Sequence, residues 1–359
     1  MSTHYPTPVT PDQTRIGWIG IGVMGGAMAS RLISAGYAVT IYARNPSKAT
    51  SLLSQGAHLA SSPAELAVVS DVVFTMVGHP SDVKHVVLDT LLPSVNPNTV
   101  IIDHTSSHPA LARHIYDSSL EQQCYSVDAP VSGGDIGARD GKLAIFAGGD
   151  EDVVEWLRPL FDVLGKATYM GGPGKGQSCK IANQITVGAN LVGLSEGLVF
   201  AEKAGLDQGK FIEAVRSGAA GSMVMELFGE RMIKRDFRPG GFAQYMVKDL
   251  GLGVDVEEGD EDNAMVLPGA GLSKQLFSAF DIVMIQKIIL VSALSMLYHL
   301  SKNILSTRWA LYVLPCWFYE PWAICTCQMV ICCSNSCSRI LHLLLSSGEV
   351  FRVFDEYYH

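Results

Sequence analysis

The sequence predicts a doubly wound, mainly parallel α/β sheet followed by a helical second domain. Three observations predict it. Strand and helix signals alternate from Arg15 to about Gly172, the pattern of parallel strands joined by crossover helices. A glycine-rich turn, Gly20-Ile21-Gly22-Val23-Met24-Gly25, follows the first apolar run. A proline-free stretch from Gln177 to Ala204 then carries apolar residues at helical spacing.

Residues 1–14, MSTHYPTPVTPDQT, are polar and proline-rich and predict a disordered lead-in. They hold neither an apolar signal core nor an Arg-rich amphipathic pattern, which points to a cytoplasmic protein. The first strand spans Ile16 to Ile19. After the glycine turn, Ala27, Met28, Ala29, Leu32 and Ile33 predict a helix that ends at Gly36. Further strands are predicted over Ala38 to Tyr42, Val72 to Val77, Val100 to Asp103, Ser126 to Asp128, Leu143 to Ala147 and Thr168 to Met170. Helices are predicted over Pro63 to Ala67, Ser81 to Leu88 and Ala110 to Ser119. Ligands bind such a sheet at the carboxyl ends of its strands. Val77-Gly78-His79-Pro80 and Asp103-His104-Thr105-Ser106 should therefore line the crevice. His79, His104 and His108 read as ordinary loop histidines.

The long helix over Gln177 to Ala204 presents Ile181, Ile185, Leu191, Leu194 and Leu198 on one face. Helical segments follow over Gln208 to Ser217, Met223 to Ile233 and Phe242 to Val256. The domain boundaries are thus 15–176 for the sheet domain and 177–280 for the helical one. At about Phe280 the composition changes. Only Gly348 of 35 glycines lies beyond it, and six of eight cysteines fall between Cys316 and Cys337. Their spacing fits no zinc pattern, so no metal is expected. Residues 281–359 read as an atypical tail. Its apolar run from Ile282 to Leu300 is interrupted by Lys287, which would cost ~2.5–3.5 kcal/mol at a bilayer centre, and membrane anchoring is not expected. A net charge of −9 without a Lys/Arg stripe argues against nucleic acid.

In the glycine turn the first glycine permits the bend and the second lets backbone N–H groups reach a pyrophosphate. The third lets helix and strand pack closely. Val23 and Met24 lie inside that cradle. The second strand runs into Ala43-Arg44-Asn45-Pro46-Ser47-Lys48 with no carboxylate to hold a ribose 2′-hydroxyl. Arg44 and Lys48 suit a 2′-phosphate instead, so NADP is expected in preference to NAD; a solvated basic turn is the alternative. Ser132-Gly133-Gly134 could cradle a carboxylate or form only a turn. Lys180 and Asn183, at i and i+3, share a helix face that could meet one substrate oxygen. Lys248 could reach cofactor or substrate, or be a surface charge.

Four segments carry a resemblance. They are GWIGIGVMGGAMA near the start, DAPVSGGDIGARDGKLAIFAGG over Asp128 to Gly149, GKGQSCKIANQ over Gly174 to Gln184, and VKDLG over Val247 to Gly251. In order and spacing they resemble the β-hydroxyacid dehydrogenases, in particular the plant 3-hydroxyisobutyrate dehydrogenase-like proteins, over about Thr14 to Phe280. The resemblance implies a Rossmann domain like that of 6-phosphogluconate dehydrogenase, joined by a long helix to an all-α C-terminal domain. It implies NAD(P)-linked interconversion of a short β-hydroxyacid and its semialdehyde, with glyoxylate or succinic-semialdehyde reduction as the alternative. Lys180 matches the catalytic lysine, Asn183 a substrate-binding asparagine, and Ser132, Gly133 and Gly134 the carboxylate loop. Gly20, Gly22, Val23, Met24, Gly25, Arg44, Asn45, Val77, Ser106 and Lys248 make up the cofactor set. The implied partner is a small carboxylate substrate, and a homo-oligomer is compatible.

Two departures stand out. Gln184 occupies a position where many relatives have a second Asn, which bears on substrate contacts. The match also ends near Ala279-Phe280, and that aberrant tail favours the alternative reading, an inactive cofactor-binding protein with a truncated α domain.

Overall fold

The computed structural model describes residues 8–236, 243–255 and 265–283. Among these residues one nine-stranded sheet forms the first domain. Its elements run β1 (Arg15–Ile19), α1 (Val23–Ser34), β2 (Ala38–Tyr42), α2 (Thr50–Ser54), β3 (His58–Leu59), α3 (Pro63–Val68), β4 (Val72–Thr75), α4 (Pro80–Val86), β5 (Val100–Asp103), α5 (Pro109–Glu121) and β6 (Tyr125–Asp128). They continue with β7 (Val131–Ser132), α6 (Gly134–Asp140), β8 (Leu143–Gly148), α7 (Glu151–Trp156), α8 (Arg158–Leu164) and β9 (Gly165–Gly171). The strand order is β3-β2-β1-β4-β5-β6-β8-β7, with β9 beside β8. The first six strands are parallel, and β8 runs antiparallel to β6 and β7. This is the Rossmann order extended by an antiparallel edge. Every residue of β4 and β5 is buried, as a parallel sheet covered on both faces requires. Trp18, Met28, Leu32, Phe74 and Phe161 fill one face, and Leu66, Val73, Val87, Leu91 and Ile101 the other.

Several sequence expectations shift here. Residues 8–14 are folded rather than disordered. Thr10 N–H donates to Thr14 Oγ1 at 3.1 Å, and Val9 joins the core with 7% exposure. The strand from Val72 stops at Thr75, because the Val77 N–H is taken by Thr105 Oγ1 at 2.9 Å instead of a sheet neighbour. The helix from Pro80 is continued by a wider turn through Leu91. α2, α7, α8 and the two-residue strands β3 and β7 were not anticipated; they are too short to show a period. α6 was not anticipated either, because its opening glycines mask a helical signal.

The second domain begins with α9 (Lys175–Lys203), whose 29 residues span ~44 Å at 1.5 Å per residue. α10 (Gln208–Val215), α11 (Met223–Ile233), α12 (Ala243–Val254) and α13 (Pro268–Val283) pack around it. Leu191 and Leu198 of α9 meet Met232, Met246, Leu250 and Phe277 in this second core. Ile181 and Ile185 are only half-buried. The buried face of α9 starts polar, with Gln177, Lys180 and Gln184, and turns apolar further along. By length and composition α9 could cross a membrane, but its apolar residues serve the second core. The atypical tail lies outside the described residues beyond Val283, as do Phe242 and Val256.

His104 corrects another expectation. It is no loop histidine but a core residue with 0% exposure, stacked on Phe74 and against Trp18, with Phe161 at its edge. Nδ1–H donates to the Ala129 carbonyl at 2.5 Å, while Nε2 has no partner among the described residues. Burial pushes the imidazole down to about 4. In the unfolded chain the ring takes a proton below about 6.5, and in the folded chain only below about 4. His104 therefore costs stability as pH falls through that window, by up to about 3 kcal/mol at its lower end. Asp103 and Asp128, both raised by burial, act in the opposite direction between about 4 and 6. His104→Phe should isolate the histidine contribution. Its stability relative to the natural protein, from urea unfolding at several pH values, should improve steadily from pH 6.5 to pH 4. A difference independent of pH would contradict this.

Candidate active site

The crevice starts at the glycine turn. Gly20 has φ +97°, and a Cβ there would overlap the Met76 carbonyl. A Cβ on Gly25 would overlap the Gly20 carbonyl. Gly22 is different: a Cβ there meets nothing within 4 Å, so the space above the first turn of α1 is open. No side chain caps α1, and its first turn carries no acid. Its leading N–H groups and the positive end of its dipole thus face open space, which fits a pyrophosphate. Val23 is exposed and Met24 half-buried beside them. At the end of β2, Arg44 is exposed and makes no ion pair among the described residues. Asn45 Oδ1 accepts from Ser47 N–H at 3.1 Å and Ser47 Oγ at 2.8 Å, capping the following turn. Its side chain is therefore engaged in the turn, which leaves Arg44 as the exposed cation at this strand end.

A buried carboxylate ties this sheet to α9. Asp128 ends β6 and accepts from the Gly174 and Gln177 N–H groups, each at 2.8 Å. Gly174 caps α9 with φ +82°. A side chain on Gly176 would overlap the carbonyls of Phe146 and Asp128. Asp103, in register with Asp128 on β5, accepts from Thr75 Oγ1 at 2.8 Å and Thr105 N–H at 3.0 Å. Burial pushes both carboxyls up to about 6, against these hydrogen bonds. Gln177 completes the joint. Its Nε2 donates to the Thr105 carbonyl at 2.7 Å, and its Oε1 accepts from Ser107 N–H at 2.8 Å.

Six, nine and ten residues past the Gly174 cap come Lys180, Asn183 and Gln184. Lys180 is buried, with 8% exposure. Its Nζ donates to Gln184 Oε1 at 3.0 Å, and Asn183 Nδ2 donates to the same oxygen at 2.9 Å. Gln184 Nε2 donates to Asp249 Oδ2 at 2.8 Å and reaches Met246 Sδ at 3.8 Å. Burial pushes Lys180 below the usual lysine range; Asp249 opposes that shift and Lys248 adds to it. Lys248 Nζ donates to the Ser106 carbonyl at 2.6 Å and lies 3.2 Å from Asp249 Oδ1. The Tyr245 ring lies under Lys248 and edge-on to His79. α12 therefore crosses the exits of β4 and β5.

The structure brings Lys180, Asn183, Lys248 and the Ser106 backbone into one network. Ser132, Gly133 and Gly134 stand apart from it. Ser132 pairs with Ala144 of β8, and Gly133 (φ +129°) opens the short helix α6. No hydrogen bond joins that loop to Lys180 among the described residues. A groove of about 390 Å³ around Arg31 and Arg139 shares no residue with the network. The sequence alone marks Gln184 only as a departure at a substrate-contact position and gives no role to Asp249, Asp128 or Gln177. The i, i+4 spacing of Lys180 and Gln184 carried a signal; Asp249 had none, because its partner is on another helix.

Residues 15–172 match the family model described as the NAD binding domain of 6-phosphogluconate dehydrogenase. Residues 174–286 match the one described as NAD-binding of NADP-dependent 3-hydroxyisobutyrate dehydrogenase. The Arabidopsis thaliana protein named "Probable 3-hydroxyisobutyrate dehydrogenase-like 2, mitochondrial" is 55% identical over 280 residues, covering 77% of this chain and 91% of that protein. The 2-hydroxy-3-oxopropionate reductase of Escherichia coli is 39% identical over 267 residues, 74% of this chain and 90% of the reductase. Among solved structures, Mycobacterium tuberculosis 3-hydroxyisobutyrate dehydrogenase with L-serine has a TM-score of 0.72 at 26% identity, covering 80% of this chain and 99% of its own.

Proposed function

The chain belongs to the 3-hydroxyisobutyrate dehydrogenase family of NAD(P)-dependent oxidoreductases, and on that premise we propose that it interconverts a short β-hydroxyacid of the 3-hydroxyisobutyrate kind and its semialdehyde. The observation that supports this reading is the buried Lys180, pushed below the usual lysine range at the crevice. A lysine brought toward working pH can both accept and return a proton. The nicotinamide group, when bound, takes or gives the hydride. Lys180 takes the hydroxyl proton in oxidation and gives it back to the developing alkoxide in reduction. Asn183 and the Ser132-Gly133-Gly134 loop hold the substrate in this reading, the loop taking its carboxylate. Lys248, anchored on the Ser106 carbonyl, keeps a cation at the nicotinamide end. The glyoxylate and succinic-semialdehyde reading uses the same groups, so a panel of hydroxyacids and semialdehydes with both cofactors separates the two.

Lys180→Ala should lower kcat by at least about 100-fold, the low end for a general acid–base group, with dinucleotide affinity nearly unchanged. Retention of more than about a tenth of kcat would sink the assignment. Steady-state kinetics and cofactor titration by fluorescence read both quantities.

NADP(H) should bind more tightly than NAD(H), because Arg44 is an exposed cation with no ion-pair partner among the described residues and residues 43–48 hold no carboxylate. Arg44→Asp should reverse the preference by removing a phosphate partner and adding repulsion. Equal affinities for the two dinucleotides, or a variant that keeps the natural order, would place recognition elsewhere.

A cytoplasmic location completes the proposal, in contrast to the mitochondrial designation in the Arabidopsis relative's name. Imaging the full chain with a C-terminal fluorescent tag decides it. Signal confined to mitochondria would reject the cytoplasmic assignment.

A further inference from the structure

We propose that Gln184 is a positioning residue for Lys180, its amide held by Asp249 so that the carbonyl oxygen faces the lysine ammonium. The inference rests on the reading of Lys180 as the proton-transfer group. Lys180 and Gln184 lie one helical turn apart on the buried face of α9. Gln184 Oε1 is the one hydrogen-bond acceptor that Lys180 Nζ finds among the described residues, at 3.0 Å. The amide could in principle sit either way round. A carboxylate only accepts, so Asp249 Oδ2 at 2.8 Å selects the NH₂ end. The carbonyl end then receives Lys180 and Asn183 together. The reversed amide would set NH₂ against an ammonium and a carbonyl against a carboxylate.

The consequence is a choice of acceptor. A neutral oxygen steadies the ammonium without trapping its proton, and leaves two of its three donors for substrate. A carboxylate at the same distance would hold the proton. Asp249 acts at one remove, through the amide. The charged groups facing Lys180 are Asp249 and Lys248, both on α12. Asp103 of β5 acts on Lys248, Lys274 of α13 is paired with Asp255, and Cys179 is the titratable neighbour on α9 itself.

Four substitutions test this on the full chain. The readout is the pH midpoint for acetylation of Lys180 by trace acetic anhydride, followed by mass spectrometry of its peptide. Gln184→Glu should move the midpoint up by about 1–3 units, as an opposite charge at this range does, and Asp249→Asn should move it down. Gln184→Leu should lower kcat by about tenfold or more without weakening the dinucleotide, since the ammonium loses its anchor. Gln184→Asn, which keeps an amide, should recover part of that loss. A merely structural role would lower thermal midpoints without opposite shifts in Lys180. Unchanged midpoints in both Gln184→Glu and Asp249→Asn would overturn the proposal, whether or not Gln184→Leu folds. Because acetylation needs no turnover, it tests the positioning even if Lys180→Ala disproves the catalytic reading.

Discussion

The carboxylate of Asp128 on the first turn of α9 is the contact on which the site geometry depends. It sits at the end of a central strand, is almost wholly buried, and accepts from the N-cap and third-residue N–H groups of a 29-residue helix. Negative charge at a helix N-terminus is favourable, and a hydrogen bond to a charged group is worth about 1.5–3 kcal/mol. Burial works against it, which is why its proton affinity rises to about 6 rather than falling. The contact demands close approach, and glycine supplies it. A side chain on Gly148 or Gly176 would run into this joint. Once the first turn of α9 is fixed on β6, Lys180, Asn183 and Gln184 follow at set heights along a rigid rod.

Two further joints keep the rod in azimuth as well as position. Gln177 spans Thr105 and Ser107 on the exit loop of β5. Farther along, Lys248 reaches back from α12 to the Ser106 carbonyl of the same loop. That loop is therefore gripped from both helices, and it lies at the carboxyl end of the sheet where a cofactor is bound in folds of this order. The second core, built on Leu191, Leu198, Leu250 and Phe277, holds α12 against α9. It thereby sets the distance between Asp249 and Gln184, so packing remote from the crevice controls the electrostatics inside it.

The buried polar groups are arranged as connected pairs. Asp103 is satisfied by Thr75 and Thr105, Asp128 by the helix terminus, and Gln184 by Lys180 and Asp249. A partly satisfied network would cost more than an apolar core. Among the described residues His104 Nε2 and Ser107 Oγ depart from that pattern, and Asp249 Oδ1 has an ion pair with Lys248 in place of a hydrogen bond. The ring packs beside the stacked Phe74–Trp18 pair and behaves as an aromatic with a polar edge.

Much of this was legible in the chain. The glycine turn, the strands of the sheet and the span of α9 follow from local periods and from Gly20, Gly22 and Gly25, whose roles are backbone roles. The place of Arg44 at the exit of β2 was legible because it lies at a fixed offset from that turn. Lys180 and Asn183 could be placed on one helix face by spacing alone. Short elements such as β3, β7, α2 and α7 were not legible, since one or two turns or pairs show no period. The folding of residues 8–14 was hidden because it rests on one apolar side chain, Val9, and on a Thr10–Thr14 turn too short to show a period. Local sequence determined which residues form each strand and helix, because hydrogen bonding within an element depends on neighbours in the chain. Tertiary structure decided which acceptor Lys180 meets, that His104 lies in the core, and that Asp249 of another helix meets the amide beside the lysine. Those outcomes depend on how far apart α9, α12 and the β5 loop come to rest, and that distance is set by two hydrophobic cores and one buried carboxylate.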